Sequence, residues 1–273
     1  MKSMRYYIPT VVTLGLAAAA LWHGPIAQLD HYHDFADQQT LLGIPHFGDV
    51  VSNIGFALVA IIGWINLAPA RNEAALRDSW PGYRLFLIGL LLTAFGSTYY
   101  HLAPDNSRLV WDRLPIALAC GGLLSGVWSD VRQKRCNLLS AILGLLAIFS
   151  VAWWHYTEQS SAGDLRPYLL LQVLPIILIP LWQWLYDRSK AERISFAWAL
   201  VLYVVAKVAE VNDHQIAAWL GGGLTGHTLK HLLATLAAAT IVMRLVHRLP
   251  DDGPSTASRH GLCRGVASSG PVC

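Results

Sequence analysis

Charge is scarce in this chain. Asp, Glu, Lys and Arg make up 14% of its 273 residues, where a soluble domain carries about 25%. The formal net charge is only +3, and no basic patch with interleaved aromatics occurs in a polar segment, so a nucleic-acid partner is not expected. Cysteine is equally sparse. Cys120, Cys136, Cys263 and Cys273 show no CxxC spacing, which argues against a disulfide framework and against a cysteine zinc site. No internal repeat and no stretch of soluble-domain composition interrupts the chain.

What the sequence has in abundance is apolar length. Hydrophobic residues make up 54% of the chain and the mean hydropathy is +0.42. They arrive in blocks of about 20 residues, the length that crosses a hydrocarbon core. The blocks fall at 49–69, 83–102, 109–128, 138–156, 168–186, 194–212 and 227–247, with a further one at 6–22 behind Lys2 and Arg5. Eleven tryptophans suit membrane interfaces. The expected fold is therefore all-α: a polytopic membrane protein with a seven-helix transmembrane bundle and one extra N-terminal helix. Residues 1–23 form that helix, read as a transmembrane helix or signal anchor retained as a span, with a cleaved signal peptide as the alternative. Residues 24–47 form an outer polar linker, 48–248 the seven-helix domain, and 249–273 a tail rich in Gly, Pro and Ser that reads as disordered.

Loop charges orient the bundle. With the N-terminus inside, the inner segments hold Lys2, Arg5, Arg71, Arg77, Arg84, Arg132, Lys134, Arg135, Arg188, Lys190, Arg193, Arg244 and Arg248. The outer segments hold mainly Asp and His, with Arg108 and Arg166 the exceptions. This is the positive-inside pattern, and it puts both termini inside. Asp49, Ser97, His101, Asp112, Lys207, Glu210, His227 and His231 then fall in one leaflet, the outer one. The inner halves of the spans carry almost no ionisable group, which opposes a proton or ion pathway across the membrane.

Polar groups at membrane depth require a function or a partner. Ser97 and His101 lie four residues apart, as do His227 and His231, so each pair shares a helix face. Two imidazoles at that spacing can hold one metal. His101 supplies a third nitrogen, and three protein ligands are the pattern of a catalytic zinc with an open position. Asp112 is placed to act as a base or to orient a ligand histidine, and Ser97 to donate to an oxyanion. A b-type haem between two histidines is the rival metal reading, but it gives Ser97 and Asp112 nothing to do. Lys207 and Glu210, three apart, read as an ion pair within the bundle, with a polar cavity lining as the alternative. Asp30, His33, Asp34 and Asp37 read as a solvated acidic linker, with cation binding as the alternative.

Four stretches, Asp49-Val-Val-Ser52-Asn53, Gly96-Ser97-x-x-Tyr100-His101, Trp111-Asp112-x-Leu114-Pro115 and Gly226-His227-x-x-x-His231, give the chain a resemblance to the alkaline ceramidase family. That family belongs to a superfamily of seven-helix membrane hydrolases which includes adiponectin-receptor-like proteins. The resemblance covers the chain from about Asp49 to His247. It implies zinc held by His101, His227 and His231, with Ser97 and Asp112 as catalytic residues. The implied activity is hydrolysis of the amide of a ceramide-like N-acyl lipid, with the zinc water as nucleophile. A lipid-binding receptor with a zinc site and a transporter are the competing classes. The chain departs from the family pattern at Arg113, where an acid is usual, and at Lys230, where an aromatic precedes the last histidine. The family also binds calcium through acidic residues near the first core helix. Asp30, Asp34 and Asp49 lie nearby here, but His46 stands at a place where an acid is expected, which weighs against calcium.

Overall fold

A computed structural model describes residues 4–249. The tail beyond, with Cys263 and Cys273, lies outside the described residues. Helix follows helix: α1 (Met4–His23), α2 (Phe47–Val51), α3 (Ile54–Leu67), α4 (Trp80–Leu102), α5 (Asn106–Arg132), α6 (Asn137–Gln159), α7 (Arg166–Leu185), α8 (Lys190–Val211), α9 (Asp213–Trp219) and α10 (Gly226–Val246). Among the described residues there is no strand. Seven segments are long and apolar enough to cross a membrane: α2 and α3 taken together as Phe47–Leu67, then α4, α5, α6, α7, α8 and α10. The seven-helix expectation is met. The apolar part of α1, Tyr7–His23, is shorter than any of these spans.

The hub is α5. Two-thirds of its apolar window (67%) is buried inside the protein, against 22% for α8. Lipid tails are as apolar as leucine, so helices in a membrane associate through close backbone contact rather than through exclusion of water. The α4–α5 seam is built for such contact. A Cβ on Gly82 would lie 2.1 Å from the Gly126 backbone nitrogen, and one on Gly89 would lie 2.5 Å from that of Ala119. One on Gly96 would lie 1.9 Å from the Trp111 carbonyl oxygen. That carbonyl is the one Pro115, inside α5, leaves without its helical N–H partner. The same seam brings the last turn of α4, with Ser97 and His101, against the first turns of α5, with Asp112.

The start of the linker, just after α1, is fastened to the bundle through Asp164, in the α6–α7 loop. Its carboxylate accepts from Arg166 Nη2 at 2.8 Å and from Trp153 Nε1 at 2.9 Å. It also accepts from the backbone N–H of Ile26 at 3.4 Å, and Leu165 N–H donates to the Ile26 carbonyl at 2.8 Å. Burial alone would raise the Asp164 pKa, but the hydrogen bonds from Arg166 and Trp153 outweigh it and hold the carboxyl well below the usual carboxylate range.

At the end of the bundle away from His101, buried charges are matched to one another. Asp130 of α5 accepts from Arg248 at 2.6 Å and from Arg188 at 3.5 Å. Glu192 of α8 pairs with Arg188 at 2.9 Å and closely with Arg248. Four side chains thus tie α5, the start of α8 and the end of α10 together.

Candidate metal centre

His101, His227 and His231 come together from α4 and α10. Their candidate ligand atoms all lie within 4.8 Å of one another. The ring centroids are 4.7 Å apart for His101 and His227, 5.1 Å for His101 and His231, and 4.8 Å for His227 and His231. All three rings are buried, and His101 is 0% exposed. Neither ring nitrogen of His101 has a hydrogen-bond partner among the described residues. Burying an imidazole with both nitrogens unsatisfied is costly, and a cation bound among the three rings would satisfy one of the two. The donor set therefore fits a metal ion.

The surroundings orient two of the ligands. Ser52, in the break between α2 and α3, lies 2.9 Å from His231 Nδ1, which leaves Nε2 of that ring for a metal. Thr225 caps α10 by accepting from the Thr228 N–H. Thr228 donates in turn to Asp49 Oδ1 at 2.6 Å. Asp213, which opens α9, accepts from the His227 N–H at 2.7 Å and from the Ala36 N–H at 2.9 Å. The start of α10 is packed so closely that a Cβ on Gly226 would fall 2.2 Å from the Ala209 carbonyl oxygen. Helix capping, tight packing and long-range hydrogen bonds thus fix the helix turn that carries both His227 and His231.

The polar linker closes over the rings. Phe35 packs edge-on against His101 at 4.8 Å and His227 at 4.5 Å. His33 spans from Asn106 Oδ1 to the Tyr100 hydroxyl, 2.8 Å from each. Since Oδ1 only accepts, His33 Nε2 donates to it and Nδ1 accepts from the tyrosine. The expectation of a solvated acidic linker holds for Asp30 and Asp34, which are exposed, and fails for Asp37. That side chain is buried and accepts from the Asp49 N–H at 3.0 Å and the Gln39 N–H at 3.1 Å. The reason is backbone demand: α2 begins here, and its first N–H groups need acceptors. His46 contacts the Asp37 carbonyl through Nδ1.

Beside the histidines, an apolar cavity of about 200 Å³ runs between the helices. Ser97, Asp112 and His231 line it, together with Lys207, Glu210 and Lys230. Asp112 Oδ1 is buried and has no hydrogen-bond partner among the described residues. All five residues singled out in the sequence therefore meet in one region. The expected Lys207–Glu210 pair is present at 2.6 Å, and both members also line the cavity. Lys230 joins them, 3.0 Å from Glu210 and 3.2 Å from His227 Nε2.

Arg113, the neighbour of Asp112, turns elsewhere. It is buried against three aromatic rings, with its guanidinium carbon 4.1 Å from the Trp154 centroid, 4.8 Å from Tyr32 and 5.4 Å from Tyr168. Cation–π contact is what carries a guanidinium there. Sequence reasoning missed this cage, and it also missed the roles of Ser52, Asp213 and Phe35. The fold and site define a seven-helix membrane protein with a buried three-histidine cluster able to hold a metal. The sequence matches no protein-family model and no curated protein.

Proposed function

We propose that this protein is a membrane-embedded zinc amidase of the alkaline ceramidase type, hydrolysing the amide bond of a ceramide-like N-acyl lipid to a fatty acid and an amine. The observation that carries the reading is the convergence of a buried three-histidine cluster, both nitrogens of His101 unpaired, with a largely apolar cavity bordered by Asp112 and Ser97. His101, His227 and His231 hold the metal. Zinc is the choice because three imidazoles with room for a fourth ligand suit it. A zinc ion there supplies Lewis acidity and a water of lowered pKa.

The chain's own residues do the rest. Ser52 holds the His231 ring through Nδ1, as partners of metal-bound histidines commonly do. The apolar walls, including Phe56, Phe86, Leu90 and Ile179, take the acyl chain and keep bulk water out. Asp112 takes the proton of the attacking water and returns it to the leaving nitrogen. Its unpaired buried oxygen suits that task. Ser97 donates to the oxygen that gains charge in the transition state. Read with the loop charges, the site lies in the outer leaflet and both termini lie inside.

Purified protein incubated with a panel of N-acyl lipids tests the reading. Wild type is expected to release fatty acid from at least one of them. Asp112→Asn is expected to lose at least about 100-fold in rate, the usual size of a general-base contribution, while keeping its metal. Absence of cleavage across the panel by metal-loaded wild type discards the amidase and leaves a lipid-binding receptor.

A further inference from the structure

The cavity wall nearest His227 and His231 holds two lysines and one glutamate. Lys207 Nζ lies 2.6 Å from Glu210 Oε2, and Lys230 Nζ lies 3.0 Å from Glu210 Oε1. Glu210 therefore spends both of its oxygens, and these three side chains together carry one positive charge in excess, while the Asp112 carboxylate also acts electrostatically on Lys230. Asp112 lines the same cavity but forms no ion pair with either lysine among the described residues. In the proposed reaction its charge is matched to the divalent ion at the histidines. The two lysines are not equivalent. Lys230 has a second contact at His227 Nε2, and its side chain is only 12% exposed. Lys207 has Glu210 as its one hydrogen-bond partner among the described residues, and its side chain is 43% exposed along the cavity. An ammonium has three donors, so Lys207 has two to spare. An excess cation at membrane depth is expensive unless something pairs with it.

We infer that the cavity takes lipid amides whose amine portion carries a carboxylate, the N-acyl amino acids, and that Lys207 is the residue that recognises this group. The apolar walls accept the acyl chain, the scissile amide lies toward the histidines, and the carboxylate reaches the spare donors of Lys207. The inference takes its substrate class from the amidase reading, and its charge preference rests on the spare donors of Lys207 together with a metal ion at the histidines to match Asp112. Lys207→Gln is a mild change, because Glu210 keeps Lys230 as its partner.

The test compares N-oleoylglycine with its neutral isostere N-oleoylglycinamide, and includes free oleate. Equilibrium binding to the full-length, metal-loaded protein in detergent is measured alongside hydrolysis. Wild type is expected to bind the acid about ten-fold more tightly than the amide, the worth of one charge-assisted hydrogen bond. Lys207→Gln is expected to erase most of that ratio while leaving glycinamide binding unchanged, and Lys207→Arg to keep it. Equal binding of acid and amide by wild type overturns the inference. So does a ratio that survives in Lys207→Gln, or a Lys207 dependence seen with oleate and not with N-oleoylglycine. A charge preference without cleavage of either amide sinks the amidase and leaves the carboxylate site standing. Cleavage of both without a preference does the reverse.

Discussion

The two ends of the bundle treat buried carboxylates in different ways. At the end holding Asp130, each buried carboxylate is matched to arginines: Asp130 and Glu192 share Arg188 and Arg248. At the end holding His101, groups of equal burial are left open. Both His101 nitrogens, Asp112 Oδ1, Asp49 Oδ2 and Asn53 Oδ1 lack hydrogen-bond partners among the described residues. Both ends are buried among the same helices, so burial alone does not set the difference. At the Asp130 end the carboxylates and arginines clamp one another, although the Gln183 amide and Trp182 Nε1 lack hydrogen-bond partners among the described residues. The open end holds groups whose partners come from outside the chain. Unsatisfied buried groups are rare in native proteins and occur at both ends here, but a histidine and a carboxylate left without partners beside a cavity are found at the His101 end, which makes it the candidate site.

Substitutions can break this contrast, and the largest effect is expected at the open end. His101→Ala should abolish tight metal binding, read as metal per protein after desalting, while the folded bundle survives in size-exclusion chromatography. Asp130→Ala strikes the other end. It leaves Arg188 and Arg248 to share Glu192 alone, so one buried positive charge loses its match, and removing one partner of a buried pair costs about 3 kcal/mol. The thermal midpoint in detergent should fall clearly, with metal content unchanged. Ser52→Ala sharpens the comparison, because it removes the hydrogen bond that orients His231 and otherwise only a local one to the Asp49 carbonyl. Metal affinity should drop about 10-fold, the lower end of the range for such partners, with little change in thermal stability.

The smallest effect belongs to Asp164, which lies between the two regimes. Its carboxyl is held below the usual range in the folded protein, so the stability it contributes is present above the unfolded pKa of about 4. That contribution is lost as pH falls through the folded value. Asp164→Asn should therefore narrow the gap between the midpoints at pH 7 and in strong acid. An unchanged gap would show that the start of the linker is held by other contacts.

Much of this was legible in the sequence because it is local. A membrane span needs only a run of about 20 apolar residues, and all seven spans could be read from such runs. Ser97 with His101, and His227 with His231, were legible because helical spacing puts residues four apart on one face. The loop arginines gave an orientation by composition alone. What stayed hidden depends on distant pairs. Ser52 and His231 are 179 residues apart, and nothing in either neighbourhood announces the other. Asp213 caps a helix that starts 13 residues later while also holding Ala36 from the linker. Asp37 looked like one more linker acid until the start of α2 claimed it. Arg113 broke the family pattern in the sequence, and only the fold supplies the three rings that accommodate it. Lys230 is the most instructive case: a departure from the pattern when read alone, and a second cation on Glu210 once α8 and α10 lie side by side.

Metal stoichiometry tests the central claim most directly. Elemental analysis of the purified wild type, set beside His101→Ala and Asp130→Ala, should find about one zinc per chain in wild type and Asp130→Ala and essentially none in His101→Ala, as three protein ligands converging on one ion require. Wild type free of bound metal after reconstitution with zinc, or His101→Ala binding it as well as wild type, would contradict the assignment of the three histidines.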